Sequence, residues 1–200
     1  MNITELTIGI FAVTPEGAAK AYRDLTLRFY QKYGKYVGPH ILMDTQPLIY
    51  HVQSFGDEER WTALVQGGVD VLIEGGADVI WMPANSSHLV MGNIEFKPAK
   101  AINMVDSSVD FLLASPGKPL ALGTNLSMSE KLYFKKPEML ERCIRPNEGD
   151  RMKVHQIILQ ELVLGRISNE SREFIRRLVK KHAEMLLNGS CVGRAWVARA

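Results

Sequence analysis

The residues best suited to chemistry in this chain lie in one short segment, Pro83-Ala84-Asn85-Ser86-Ser87-His88, directly after the apolar run Val79-Ile80-Trp81-Met82. An apolar run of that length reads as a parallel strand buried on both faces. In α/β proteins ligands bind at the carboxyl ends of such strands, where backbone N–H groups and short hydroxyl or amide side chains cradle an anion. Asn85, Ser86 and Ser87 are side chains of that kind. Ala84 sits where chemistry would be expected, yet it carries only a methyl group. The same residues also describe a strand followed by a hydroxyl-capped helix with no ligand. The segment alone does not choose between these readings.

The elements that would position this segment follow from hydropathy period and capping. Leu6 to Val13 is a strand, and Thr14-Pro15-Glu16 then supplies an N-cap hydroxyl with proline in the first turn. Ala18, Ala19, Tyr22, Leu25, Leu27 and Phe29 carry the helix that follows. Ile41 to Met43 reads as a second strand, ending at Asp44-Thr45-Gln46-Pro47, and Trp61 to Glu74 as an amphipathic helix closed by Gly75-Gly76. After the Val79 strand, a helix is expected from about Ser87 to Ile94, and a fourth strand at Ile102 to Asp106.

The second half repeats the plan. Pro119 to Thr124 is strand-like, and a capped helix is expected to begin at Ser127-Met128-Ser129-Glu130. Ile157 to Leu164 and Ser171 to Lys181 are helical, with Ser168, Asn169 and Ser171 as a capping cluster between them. His182 to Cys191 then matches Gly76 to Asn85 in kind: small and acidic residues, an apolar run, then small polar ones. Alternating strands and helices argue for α/β architecture with parallel sheets. Duplication argues for two pseudo-symmetric lobes, 1–105 and 106–200, with a cleft between them. A single six-stranded sheet is the alternative.

Composition excludes several classes of function. Apolar content of 46% and charged content of 23% are ordinary for a globular protein, and a net charge of +2 gives no footprint for nucleic acid or an anionic membrane. The basic pairs Lys135-Lys136 and Arg176-Arg177 are short, and the second shares its helix with Glu170 and Glu173, as a solvated face does. Two cysteines, Cys143 and Cys191, make neither a disulfide framework nor a metal site. No signal peptide or membrane-spanning stretch is read, so the expected compartment is cytoplasmic.

Taken together, these segments resemble the aspartate/glutamate racemase family, the cofactor-independent amino-acid racemases. The resemblance runs from about Thr7 to Gly189. It rests on the opening strand with Thr14-Pro15-Glu16, Pro83 to His88, Gly123-Thr124-x-x-Ser127-Met128, Asp150-Arg151-x-Lys153-Val154-x-Gln156-Ile157-Ile158, Glu161-Leu162-x-x-Gly165 and Ser171-Arg172. It implies two α/β lobes, a small acidic amino acid as substrate, no cofactor or metal, and a homodimer. The chemistry it implies is proton exchange at Cα, a base on one face removing a proton and an acid on the other returning one. Thiols suit this work because an electropositive pocket tunes their pKa toward neutrality. Thr14, Asn85, Ser86, Ser87, Gly123, Thr124 and Ser127 match substrate-holding positions, and Lys153 matches a lysine that pairs with the distal carboxylate. Without the family, Lys153 reads equally well as a solvated helix lysine.

Several positions depart from the family pattern. Ala84 stands at the first catalytic position, usually Cys and sometimes Thr. At the second, Gly189-Ser190-Cys191-Val192 puts Ser190 in register and Cys191 one place late, and a one-residue shift in an extended segment turns a side chain to the other face. Phe11-Ala12-Val13 stands where the family generally has a glycine-rich turn, bulk that would narrow the site or change the substrate. The chain is expected to be short at its C-terminal side relative to the family, with Trp196 and Val197 as what remains of a strand-to-helix passage. Cys143 reads as structural. Three functions follow: a racemase impaired at one base, a one-cysteine decarboxylase of the arylmalonate type that needs a single proton donor, or a catalytically silent binder of small carboxylates.

Overall fold

The computed structural model describes residues 3–188, which divide into one compact unit up to Met104 and a second from Val105. The first is an α/β unit. β1 (Thr7–Ala12), α1 (Pro15–Tyr33), β2 (His40–Thr45), α2 (Leu48–Gln53), α3 (Glu58–Glu74), β3 (Val79–Trp81) and β4 (Lys100–Ile102) follow one another along the chain. The strands form a parallel four-stranded sheet in the order β2-β1-β3-β4. Parallel strands need crossover connections, and the helices supply them.

Local residues explain each element. Thr14 caps α1, its Oγ1 accepting from the Gly17 amide at 3.1 Å, with Pro15 in the first turn. Asp57 caps α3 in the same way through Arg60. Asp78 links three strands at their amino ends: its Oδ2 accepts from the Thr7 amide at 2.8 Å, its own amide donates to Thr7, and its carbonyl accepts from Lys100. Ile8, Ile10 and Ala12 of β1 pack with Ala18 and Ala21 of α1 on one face of the sheet.

On the other face, Phe11 lies beside Asp44, its register partner on β2, and both reach Gly68 of α3. Phe11 is fully buried there. Its bulk therefore fills the core beneath α3 and does not narrow the carboxyl end of β1, contrary to the expectation from sequence. Gly68 makes this fit possible, because a Cβ at that position would run into the Phe11 ring and sit 2.7 Å from Asp44 Oδ2.

The second unit contains most of α4 (Met104–Ala114), then α5 (Pro137–Arg142), α6 (Glu148–Gln160) and α7 (Asn169–Asn188). Among the described residues its sheet is reduced to one parallel bridge, Leu120 with Ile144, in which Ala121 N donates to Ile144 O at 2.9 Å and Ile144 N to Pro119 O at 2.8 Å. Leu120, Leu122, Val154 and Leu178 form its core, with Ile144, Phe174 and Ile175 packed around them.

Four expectations change. The helix foreseen from Ser87 to Ile94 is two 3₁₀ turns, Ser86–Leu89 and Met91–Asn93. The fourth strand ends at Ile102, two residues before α4 begins. No helix starts at Ser127, where Thr124 and Ser127 form a local turn instead. The apolar run at Met185 to Leu187, read as a strand end, continues α7 to Asn188. Ala, Glu, Met and Leu are strong helix formers and none is β-branched, so propagation from the preceding turns prevails. Ser190, Cys191, Trp196 and Val197 lie outside the described residues.

Candidate functional site

The end of β3 is built as the segment Met82 to Val90. β3 is an inner strand, flanked by β1 and β4, and Met82 beyond it is buried. Ala84, Asn85 and Ser86 are half-buried, whereas Ser87 and His88 are buried. Asn85 has helical backbone angles and its carbonyl accepts from the His88 amide at 3.1 Å, which starts the 3₁₀ turn.

His88 fixes this segment, a role the sequence did not reveal. Its Nε2 accepts from the Met104 amide at 3.1 Å and its Nδ1 lies 3.0 Å from the Ala84 carbonyl. An amide can only donate and a carbonyl can only accept, so Nδ1 carries the ring hydrogen and Nε2 the lone pair. One imidazole thus ties the backbone at position 84 to the first residue of α4. The ring is 9% exposed, which shields both bonds from competing water.

The other expected site residues are placed as follows. Thr14 is half-buried, and its hydroxyl is committed to capping α1. The Ser87 hydroxyl is fully buried with no hydrogen-bond partner among the described residues. In the second unit, Thr124 Oγ1 accepts from the Ser127 amide at 3.2 Å and lies 3.1 Å from Ser127 Oγ, so this pair is spent largely on its own turn. Gly123 sits against it, since a Cβ there would approach Ser127 Cβ at 3.1 Å. Lys153 is half-buried on α6, and its ammonium contributes to holding the Glu161 carboxyl below its ordinary range. The larger causes of that shift are hydrogen bonds from the Ser171 hydroxyl and the Ser168 amide.

Thr14, Ala84, Asn85, Ser86 and Ser87 therefore belong to the first unit, and Gly123, Thr124, Ser127 and Lys153 to the second. Cys143 is buried, and burial pushes its thiol up, partly opposed by Arg142, so it is no thiolate near neutrality. Two more groups, half-buried Asp44 and buried His51, belong to β2 and α2. Burial raises the Asp44 carboxyl, a hydrogen bond with Gln46 opposing it. Burial lowers the His51 imidazole, which packs 5.9 Å from the Phe11 ring with both nitrogens unpartnered among the described residues. No group of three His, Cys, Asp or Glu side chains among those residues is placed to hold a metal, and none of their helices is long and apolar enough to cross a membrane.

No family model matches the chain. Solved structures do. A candidate Asp/Glu racemase from Yersinia pestis is 25% identical with a TM-score of 0.74, the match covering 93% of this chain and 82% of that one. An aspartate racemase homologue from Pyrococcus horikoshii is 25% identical with a TM-score of 0.70, over 90% and 80% of the two chains. The aspartate racemase of Picrophilus torridus, 16% identical with a TM-score of 0.65 over 92% and 77%, shares the fold. These likenesses show that the chain has the fold of aspartate/glutamate racemases and is similar to members of that family.

Proposed function

We propose that the chain binds a small acidic amino acid through the segment after β3 and exchanges the proton at its α-carbon without a cofactor, slowly, because one base is absent. The observation that carries this reading is the arrangement at Ala84 to His88. Asn85 and Ser86 stand half-exposed at the carboxyl end of an inner parallel strand, on a backbone held by His88. An amide and a hydroxyl there orient a carboxylate, while Ala84 leaves that face of Cα without a group to move its proton. Thr14, Ser87, Gly123, Thr124, Ser127 and Lys153 are the further substrate contacts of this reading, and Ser190 or Cys191 its remaining acid–base group. The exposed side chains of α1, Tyr22, Leu27, Tyr30 and Tyr33, support a homodimer; light scattering that returns the mass of one chain contradicts it.

Ala84 also favours a second reading. A decarboxylase of the arylmalonate type creates its carbanion by losing carbon dioxide, so it needs one proton donor and no base at position 84. Calorimetry with aspartate and an assay of carbon dioxide release from phenylmalonate separate the two. The racemase-family reading expects saturable aspartate binding that Asn85→Ala weakens about tenfold or more, from the loss of a charge-assisted hydrogen bond. Turnover of phenylmalonate without aspartate binding replaces it with the decarboxylase. Neither activity nor binding leaves a silent fold member.

A further inference from the structure

The turn that carries Thr124 and Ser127 is anchored by packing only at its ends. Leu122 before it and Ser127 and Met128 at its close are buried, whereas Gly123, Thr124 and Leu126 are half-buried and Asn125 is exposed. Within the turn, the Ser127 amide donates to Thr124 Oγ1 at 3.2 Å and the Met128 amide to the Thr124 carbonyl at 2.9 Å. Those bonds fold the turn on itself and tie it to no neighbouring element.

The tie comes from α6. The Asn125 main-chain amide donates to His155 Nδ1 at 3.3 Å, and the Asn125 side-chain amide donates to Met152 Sδ at 3.0 Å. Met152 and His155 are three residues apart on α6 and so share one face of it. The helix is itself fixed against the segment that leads into the turn, because Val154 packs with Leu120 and Leu122. A main-chain amide can only donate, so His155 Nδ1 carries the lone pair and Nε2 the ring hydrogen. His88 shows the reverse, with the hydrogen on Nδ1.

We propose that His155 is a positioning residue: its imidazole holds the Asn125 main chain and so sets where the Thr124 and Ser127 hydroxyls stand for a ligand. Those two oxygens lie 3.1 Å apart. One hydroxyl hydrogen bridges them, and the other is left to donate to a carboxylate. The direction of that donor follows the turn, and the turn follows α6. The proposal rests on the reading above that Thr124 and Ser127 contact the ligand, and it adds no ligand-binding group, since His155 acts through the Asn125 amide.

The test takes the full chain, with aspartate as the probe and calorimetry, thermal melting and NMR as readouts. The asparagine Oδ1 occupies the place of the histidine Nδ1, whereas the glutamine oxygen falls near Nε2. His155→Ala and His155→Gln should therefore weaken aspartate binding about three- to tenfold, the effect of one exposed hydrogen bond. His155→Asn should stay within about twofold of wild type. The three variants should melt together, and exchange of the Asn125 amide should quicken in the Ala and Gln variants only. A role in the fold alone would not sort the variants by where their oxygen lies. In the wild type, ¹⁵N spectra under mildly alkaline conditions should show His155 bare at Nδ1 and His88 bare at Nε2. Wild-type affinity in the Ala variant, rescue by Gln as complete as by Asn, or a hydrogen on His155 Nδ1 would each overturn the positioning role and leave the reading of the site intact. The tautomer decides even where a variant fails to fold. No binding of aspartate by the wild type would overturn that reading and the role of His155 with it.

Discussion

Replacing His88 removes a side chain that joins the backbone after β3 to the start of α4. His88→Ala deletes an acceptor 3.1 Å from the Met104 amide and a donor 3.0 Å from the Ala84 carbonyl. Each such bond contributes about 0.5–1.5 kcal/mol net, and an orphaned buried amide costs about 1–3 kcal/mol. Met104 is half-buried, so water would compensate its amide in part. The expected loss is about 2–4 kcal/mol, read as a lower urea midpoint at unchanged m-value. His88→Gln can still present an oxygen near the Nε2 position and should lose about half as much. The ring nitrogens offer a second check, because ¹⁵N spectra should show Nδ1 protonated and Nε2 bare. An Ala variant within about 0.5 kcal/mol of wild type, or the opposite tautomer, would refute the clamp.

Three further expectations concern the packing beside the sheet. Burial raises the Asp44 carboxyl above its ordinary 3.8, so its contribution to stability is complete below that value and is lost as pH rises through the folded pKa. Asp44→Asn should therefore be more stable than wild type at pH 7, with the gain fading toward pH 4; a less stable variant at pH 7 contradicts this. Burial lowers His51 below 6.5, so its neutral form contributes stability above that value that is lost as pH falls through the folded pKa. His51→Leu should flatten the acid limb of the melting temperature against pH, and an unchanged limb would assign acid sensitivity elsewhere. Gly68→Ala should destabilise by about 1–3 kcal/mol through overpacking against Phe11 and Asp44, with Phe11→Leu restoring part of it; a neutral Gly68→Ala melt would count against this packing.

Much of the first unit is legible in the sequence because local chemistry and tertiary packing agree there. Thr14-Pro15 marks the start of α1 through a hydroxyl cap and a fixed φ, and the run at Val79 can be little else than a buried strand before small polar residues. The tie made by His88 is not legible, since its partner amide lies 16 residues away and backbone groups carry no sequence signature. The same tie accounts for the failed helix after Ser86: a ring bonded back to the Ala84 carbonyl favours a tight turn, and Gly92 weakens helix propagation. At Met185 the analogy with the Val79 run misleads, because apolar residues at helical spacing from Ser171 onward already set a period of 3.6.

The central claim is that Ala84 occupies the position of a missing base in a site that still binds an acidic amino acid, and deuterium incorporation at Cα tests it directly. Aspartate in heavy water is followed by NMR with the wild type, Ala84→Cys, Ser190→Cys and the double variant. A positioned acid–base group contributes about 10²–10⁴-fold. The wild type should exchange poorly, and Ala84→Cys should raise exchange by a factor of that order if Ser190 or Cys191 serves the opposite face. If the shift at Gly189-Ser190-Cys191 has emptied that face, only the double variant should exchange. Wild-type exchange as fast as that of Ala84→Cys, or no exchange in any of the four, would contradict the account.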